Sequence, residues 1–402
     1  MNILFLSPRL PLPADTGGKI RTFNILKQIA KTNHVHLLCF SFERTDQDHM
    51  GNFKELGVQM TLVPVDEPTI LEKISGVLFK SIPFSIAKYN SSRMRQEIEK
   101  ILKTRSFDAV HVDHLHMAHY KDCFKDIPCM LDEHNVEYKL LERCAQHEGS
   151  LIKKFFYQQQ SDKMRVFEGQ KTKEFNAVFA CSSEDQKILS DLTSGMAPLH
   201  VIANGVDTAY FDTSGSGQDK LQEEDAIVFT GSMDWLPNDD AITYFCGKIL
   251  PLIWQKKETV KFYVVGKNPS TAVKDLASRD PRVIVTGRVD DVRPYIRRSG
   301  VFIVPLRIGG GTRLKILEAM SMGKAVVSTS IGAEGIEYTD GKNILLGDEP
   351  QDFADKVLLL LNDPQRSQSI GLEARQFVCG RYDWNIIGQT LKRIYGEAVH
   401  VQ

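Results

Sequence analysis

Residues 305–327 read PLRIGGGTRLKILEAMSMGKAVV, and this stretch decides the fold. The apolar run 301–305 that leads into it suits a buried strand. Gly309, Gly310 and Gly311 then allow a tight turn in which the backbone can approach a ligand closely. A helix follows, opening at Thr312 or Arg313, and its first N–H groups lack intrahelical partners. Bare backbone and a helix N-terminus together suit phosphate. Arg313 and Lys315 place two cations in that first turn, where the helix dipole disfavours them and an anion would resolve the conflict. Glu318 lies one turn on and can accept hydrogen bonds from sugar or ribose hydroxyls. Alone, the stretch reads equally well as an ordinary strand–turn–helix.

Outward from this stretch, short apolar runs alternate with helical patterns, which predicts parallel α/β sheets. Strands are expected near 2–6, 35–40, 59–63, 109–112, 129–132, 177–181 and 200–203. A second set is expected at 226–230, 261–265, 282–286, 301–305, 325–328 and 344–346. Between the sets, 212–217 is DTSGSG, a flexible linker composition. The predicted organisation is a first domain over 1–207, a linker over 208–224 and a second domain over 225–382. A last helix, 383–402, is expected to pack back towards the first domain. In the second set Gly231, Gly266 and Gly287-Arg288 also sit at strand ends, so three glycine-bearing ends converge on one face.

The loop after the first strand ends in Gly17-Gly18 before a helix, at the sheet end where open α/β folds bind ligands. It is not a G-x-G-x-x-G fingerprint. Residues 108–119, DAVHVDHLHMAH, gather His111, Asp113, His114, His116 and His119 at another strand end. These residue types can bind metal, form a polar loop or serve an active site. No thiol pair or H-E-x-x-H helix accompanies them, so no metal ligand is assigned. The next strand ends in Asp132-Glu133-His134-Asn135. Asp239-Asp240 and Asp290-Asp291 lie at or near expected helix starts, where Asp is favoured without a metal.

The motif around 305–327 resembles the donor-site signature of retaining glycosyltransferases of family 4, as do VVSTSIGAEG at 326–335 and NGVD at 204–207. The resemblance covers most of the C-terminal half strongly and the N-terminal half more weakly. It implies a GT-B fold, with two Rossmann-like domains whose parallel sheets face across a cleft. In that family two Glu residues separated by seven positions bracket the turn and helix. Glu318 matches the second, and Gly310 stands at the first. The family's Arg and Lys after the first strand of this domain are also missing, since GSMDWLPN occupies 231–238. The resemblance therefore hands the diphosphate to Arg313, Lys315 and the amides of Thr312–Leu314, with Gly17, Gly18, Gly231, Arg288, Gly310 and Gly311 lining the donor. A family strand ending in His-x-His sets its second His beside the transferred sugar. Here that position is Asp113, with His114 directly after, and either can take the role. His134-Asn135-x-Glu137 resembles a family sub-group pattern, so His134 joins Asp113 and His114 as a catalytic candidate.

The 402 residues carry 50 Lys and Arg against 51 Asp and Glu, a net charge of −1 that offers no global reason to expect nucleic acid. Seven dispersed cysteines without a C-x-x-C pair suggest reduced thiols and a cytoplasmic setting. No run reaches the roughly 18 apolar residues of a spanning helix. The basic stretch 70–105, with apolar wedges at 77–79 and 82–84, is read as a weak peripheral contact with an anionic membrane surface at the inner face of the plasma membrane. The long helical stretch 140–173 has nearly balanced charge and is given no membrane role.

The expected activity is metal-independent, retaining transfer from a nucleotide-diphosphate sugar to a glycan, lipid-linked or small-molecule acceptor, with no cofactor. Bacterial cell-surface or exopolysaccharide biosynthesis is the setting the resemblance suggests. An epimerase or hydrolase of nucleotide sugars, and a non-catalytic nucleotide-sugar-binding protein, are the alternatives.

Overall fold

The computed structural model describes residues 1–42, 44–65, 82–213, 223–308 and 311–400. The chain divides into two compact units, Met1–Ala203 with Ile387–Gln402, and Asn204–Ile386.

The first unit is built on seven strands: β1 (Asn2–Ser7), β2 (His34–Ser41), β3 (Val58–Pro64), β4 (Ala109–Asp113), β5 (Cys129–Asp132), β6 (Ala177–Ala180) and β7 (Leu199–Val201). They form one sheet in the order β3-β2-β1-β4-β5-β6-β7, and every neighbouring pair is parallel. Helices cover both faces of such a sheet, so its strands read as continuous apolar runs, as Ile3–Leu6 does with every side chain buried. The second unit repeats the scheme with β8 (Glu223–Thr230), β9 (Lys261–Val265), β10 (Val283–Gly287), β11 (Ser299–Val304), β12 (Val326–Ser328) and β13 (Leu345–Leu346). Its order is β10-β9-β8-β11-β12-β13, again parallel throughout. Both are doubly wound sheets. Their topological switch points lie between β1 and β4 in the first unit and between β8 and β11 in the second, where ligands of such sheets bind.

Three helical expectations shift. The 140–173 stretch is two helices, α1 (Glu137–His147) and α2 (Leu151–Lys171), with Glu148, Gly149 and Ser150 between them. Gly149 and Ser150 favour a turn and a helix start over a continuous helix. The helix expected to start near Asp239-Asp240 begins at Leu236 with Pro237 in its first turn, and gives way at Phe245–Ile249 to a π-helical turn. The helix of the 305–327 stretch, α3, spans Leu314–Ser321, so Arg313 is its N-cap with extended-side backbone (φ −86°, ψ 86°) rather than a first-turn residue.

The last helix, α4 (Trp384–His400), belongs from Ile387 onward to the first unit. Leu391, Ile394 and Tyr395 are buried there. The Tyr395 hydroxyl lies 2.6 Å from His111 Nδ1, and His111 stacks on Phe5 at 4.3 Å. A side chain at Gly388 would meet Gln28, with a Cβ only 2.6 Å from its Oε1.

Candidate active site

In the first unit the carboxyl ends of β1, β4 and β5 deliver Ser7, Asp113 and Asp132 to one point. The helix after β1, Gly17–Ala30, carries an apolar stripe in which Arg21 and Thr22 take the places nearest its start. Arg21 is therefore buried under the strand ends, 1% exposed, against an Asp132 that is 0% exposed. Its Nε lies 3.1 and 3.0 Å from the two Asp132 oxygens and its Nη2 2.5 Å from Oδ1, while Nη1 donates to the Ile202 carbonyl at 2.8 Å. This is the bidentate arrangement that a buried guanidinium needs. Burial works to raise the Asp132 carboxyl, but Arg21 and His134 hold it well below the ordinary carboxylate range.

Asp113 has both oxygens engaged. Ser7 Oγ donates to Oδ2 at 2.8 Å, Thr22 Oγ1 lies 3.1 and 3.0 Å from the pair, and His134 Nε2 donates to Oδ1 at 2.8 Å. Burial alone would lower the His134 imidazole. The Asp113 carboxylate, with hydrogen bonds to Asp113 and Asp132, outweighs it and raises the group to about 9, so His134 is an imidazolium near neutral pH. Its other nitrogen, Nδ1, is buried with no hydrogen-bond partner among the described residues. That nitrogen would lie 3.5 Å from a Cβ on Gly18, an ordinary van der Waals distance, so it sits directly over the start of the helix. An N–H donor on a fixed cation thus faces the first amides of a helix, a constellation suited to an oxyanion.

His114 stacks on His134 with ring centroids 4.0 Å apart. Its backbone has φ 76°, rare for a residue with a side chain. Its N–H donates to the Asp132 carbonyl at 2.9 Å. Strain of this kind persists where surrounding contacts over-determine it, commonly at functional sites. His114 Nδ1 lies 3.1 Å from His116 Nδ1 and 3.9 Å from Glu137 Oε1. These three, and the set His111, Asp113 and Asp132, each bring ligand-type atoms within 4.8 Å of one another. In the second set the carboxylates are already committed to Arg21, Ser7, Thr22 and His134. The first set stands beside Arg9 and the His134 cation, whose charges oppose a dication.

In the second unit the ends of β8, β9 and β10 lie edge to edge through glycine. Gly231 N donates to the Val265 carbonyl at 2.9 Å and Gly266 N to the Gly287 carbonyl at 3.2 Å. A Cβ on Gly266 would fall 1.7 Å from the Gly231 oxygen. Gly266→Ala is thus expected to force backbone apart at the strand ends and cost at least about 1–3 kcal/mol, the range for overpacking, in a urea unfolding curve. Above Gly231 stands Lys315. Its Nζ donates to Asn238 Oδ1 at 2.9 Å, lies 3.9 Å over the Phe229 ring and would be 2.7 Å from a Cβ on Gly231. Desolvation, with repulsion from Arg313, lowers this half-buried ammonium to about 7. Glu318, half-buried on the same helix, is raised by burial to about 7. The run after β12 closes on the same turn, because a Cβ on Gly335 would lie 3.2 Å from Thr312 Oγ1. That hydroxyl is buried and has no partner among the described residues.

Asp113, His114 and His134 thus meet in the first unit with Gly18, while Gly17 starts the adjoining helix. Gly231, Thr312, Arg313, Leu314, Lys315 and Glu318 gather in the second. Gly311 takes a positive φ of 77° in the turn before the helix, and Arg288 is exposed beyond β10. Gly310 lies outside the described residues. Sequence reasoning missed Arg21, Ser7 and Thr22. The signal for Arg21 was its place four residues before Ile25 and eight before Ile29, in the buried stripe of its helix.

Residues 16–210 match the family model described as Glycosyltransferase Family 4, and residues 224–363 match the one described as Glycosyl transferases group 1. A 44.6 kDa protein in the cps region of Klebsiella pneumoniae is 20% identical over 95% of this chain and 96% of its own length. The phosphatidyl-myo-inositol mannosyltransferase of Mycobacterium tuberculosis is 26% identical over 48% of this chain and 53% of its own. Among solved structures, Anabaena Alr3699/HepE in complex with UDP and glucose superposes with a TM-score of 0.69 at 15% identity, covering 99% of this chain and all of the other. Sucrose-phosphate synthase from Thermosynechococcus elongatus gives a TM-score of 0.74 at 15% identity, with both chains covered completely.

Proposed function

Because the chain belongs to the family 4, group 1 glycosyltransferases, which have the GT-B fold, we propose that it transfers a sugar from a nucleotide-diphosphate donor to a glycan, lipid-linked or small-molecule acceptor, with retention at the anomeric carbon and without a metal ion. The observation that carries this reading is Lys315, a desolvated ammonium held by Asn238 over the bare backbone of Gly231. Such a group gains most from a diphosphate, whose charge it meets in a site where water screens little. In transfer the bond from the anomeric carbon to the diphosphate breaks, the acceptor oxygen bonds to that carbon, and the acceptor's proton leaves with the diphosphate. Lys315, Arg313 and the turn amides stabilise the departing charge, and Glu318 holds donor hydroxyls. In the first unit His134 offers the Nδ1–H that no described residue accepts to an anionic or sugar oxygen, with Asp113 fixing its orientation and charge. His114 lines the same point.

The setting this reading supports is assembly of bacterial surface polysaccharide by a cytoplasmic enzyme. The Klebsiella relative from a cps region favours it. The basic stretch 70–105, proposed from sequence as a membrane contact, lies outside the described residues up to position 81. Glycine at position 310, where the family has a carboxylate, favours a non-catalytic nucleotide-sugar-binding protein as the second reading.

A thermal-shift panel of UDP, GDP, ADP, CMP and their sugars tests the proposal, with UDP first because the Anabaena neighbour was solved with it. A ligand at 100 times its Kd stabilises by about 2.7 kcal/mol. One nucleotide class is expected to shift the transition equally with and without chelator. A shift abolished by chelator would overturn metal independence, and no shift with any diphosphate would overturn the donor assignment. Tight donor binding with no turnover on any acceptor would favour the second reading.

A further inference from the structure

The hairpin of α1 and α2 is anchored at its base and bare at its tip. Glu168 accepts from the Glu137 and Tyr138 N–H groups at 2.8 and 3.0 Å, and Ser161 Oγ donates to the Tyr138 carbonyl at 2.8 Å. Gln160 Oε1 accepts from the Phe84 N–H at 2.8 Å. Beyond Gln160 towards the helix start, no residue from 151 to 159 is buried. At 1.5 Å per residue the first turns of α2 stand roughly 25 Å from Glu168. On them sit Leu151, Ile152 and Phe155, exposed by 82%, 84% and 73%. Among the described residues these apolar side chains touch no core, and polar residues would serve the helix as well.

We infer that this tip is a wedge that inserts into an anionic lipid surface. Exposed Lys153 and Lys154 flank the three apolar side chains, and no acidic residue occurs between Leu151 and Ser161. The first-turn position of apolar and basic groups matches an interfacial anchor, in which apolar side chains enter the acyl boundary and lysines reach the headgroups. Three side chains on one turn present far less than the roughly 800 Å² per partner of a standard protein interface. A bilayer has no such threshold. Charge is balanced over the whole 140–173 stretch, but the tip itself carries Lys153 and Lys154 with one acid nearby, Glu148, whose Oε1 accepts from the Ser150 N–H at 3.0 Å. The inference concerns the first unit's surface and stands apart from the donor assignment.

Flotation of the full chain with vesicles of phosphatidylcholine plus phosphatidylglycerol, and of phosphatidylcholine alone, tests it. The protein is expected to float with the anionic vesicles, and Phe155→Trp to show blue-shifted fluorescence on adding them. The triple variant Leu151→Ser, Ile152→Ser, Phe155→Ser should stay at the bottom of the gradient. Lys153→Glu with Lys154→Glu should weaken binding about tenfold or more. Both sets should keep the wild-type melting temperature, since no core contact is removed. Wild-type protein that fails to float, a triple variant that floats as well as wild type, or a wild-type dimer in sedimentation that the triple variant dissolves would each overturn the inference.

Discussion

Asp132→Ala is expected to destabilise the first unit by about 3–5 kcal/mol, the cost of stripping one partner from a buried ion pair. The loss is large because of what stays behind. Arg21 remains buried with its Nε and Nη2 facing an empty space where Asp132 bound them, and it cannot shed its charge. The measurement is a urea unfolding curve of the full chain, with Arg21→Met/Asp132→Leu as comparator. The double variant is expected to recover most of the loss, because an apolar pair leaves no stranded charge. A single variant within about 0.5 kcal/mol of wild type, the range for inconsequential surface changes, would refute the account. The same cluster sets a pH window. Asp132 is held below its ordinary value of 3.8, so its contribution is present above that pH and fades as pH falls below it. His134 is raised from 6.5 to about 9, so its contribution is complete below 6.5 and is lost as pH rises through 9. This cluster therefore contributes most between about pH 4 and 6.5.

Lys315→Ala is expected to lower kcat/KM for the donor by about 10²–10³, the usual cost of removing one preorganised charge stabiliser. The more telling result is the pH dependence. With the free ammonium near 7, donor binding at pH 8 must first protonate it, so KM for the donor should climb towards tenfold per pH unit above 7. Glu318, also near 7, titrates over the same range, and Glu318→Gln removes its part while leaving that of Lys315. In Lys315→Ala the rise attributable to the ammonium should vanish. A flat KM from pH 6 to 9 in the wild type would show that no neutral lysine greets the donor. Lys315→Arg is not expected to rescue, because a larger forked guanidinium does not fit where Nζ is held 2.9 Å from Asn238 Oδ1 and 3.9 Å over the Phe229 ring.

The sheets were legible because parallel strands are buried on both faces, so each declares itself as an uninterrupted apolar run. Even two-residue Leu345–Leu346 fell inside an expected strand. Glycine at the ends of β8, β9 and β10 also announced the close backbone approach that the structure contains. Helix limits were less legible. The helical stretch reads as continuous through 148–150, and only the weak preference of Gly149 and Ser150 for a turn and a helix start marks the break. Side-chain company was the least legible. Asp113 and Arg21 lie 92 positions apart in sequence order, and nothing local to either says that one is saturated by Ser7, Thr22 and His134 while the other is paired with Asp132.

The placement of α4 has a consequence for how the protein is made. The residues that complete the first unit, from Ile387 onward, leave the ribosome only after all of 204–386 has been synthesised. Until then His111 has no Tyr395 hydroxyl, and the face around Phe5 and Phe179 lacks the ring that covers it. The first unit is thus finished after the second, and a stop codon between 387 and 395 would injure the first unit's sheet while the second stood complete.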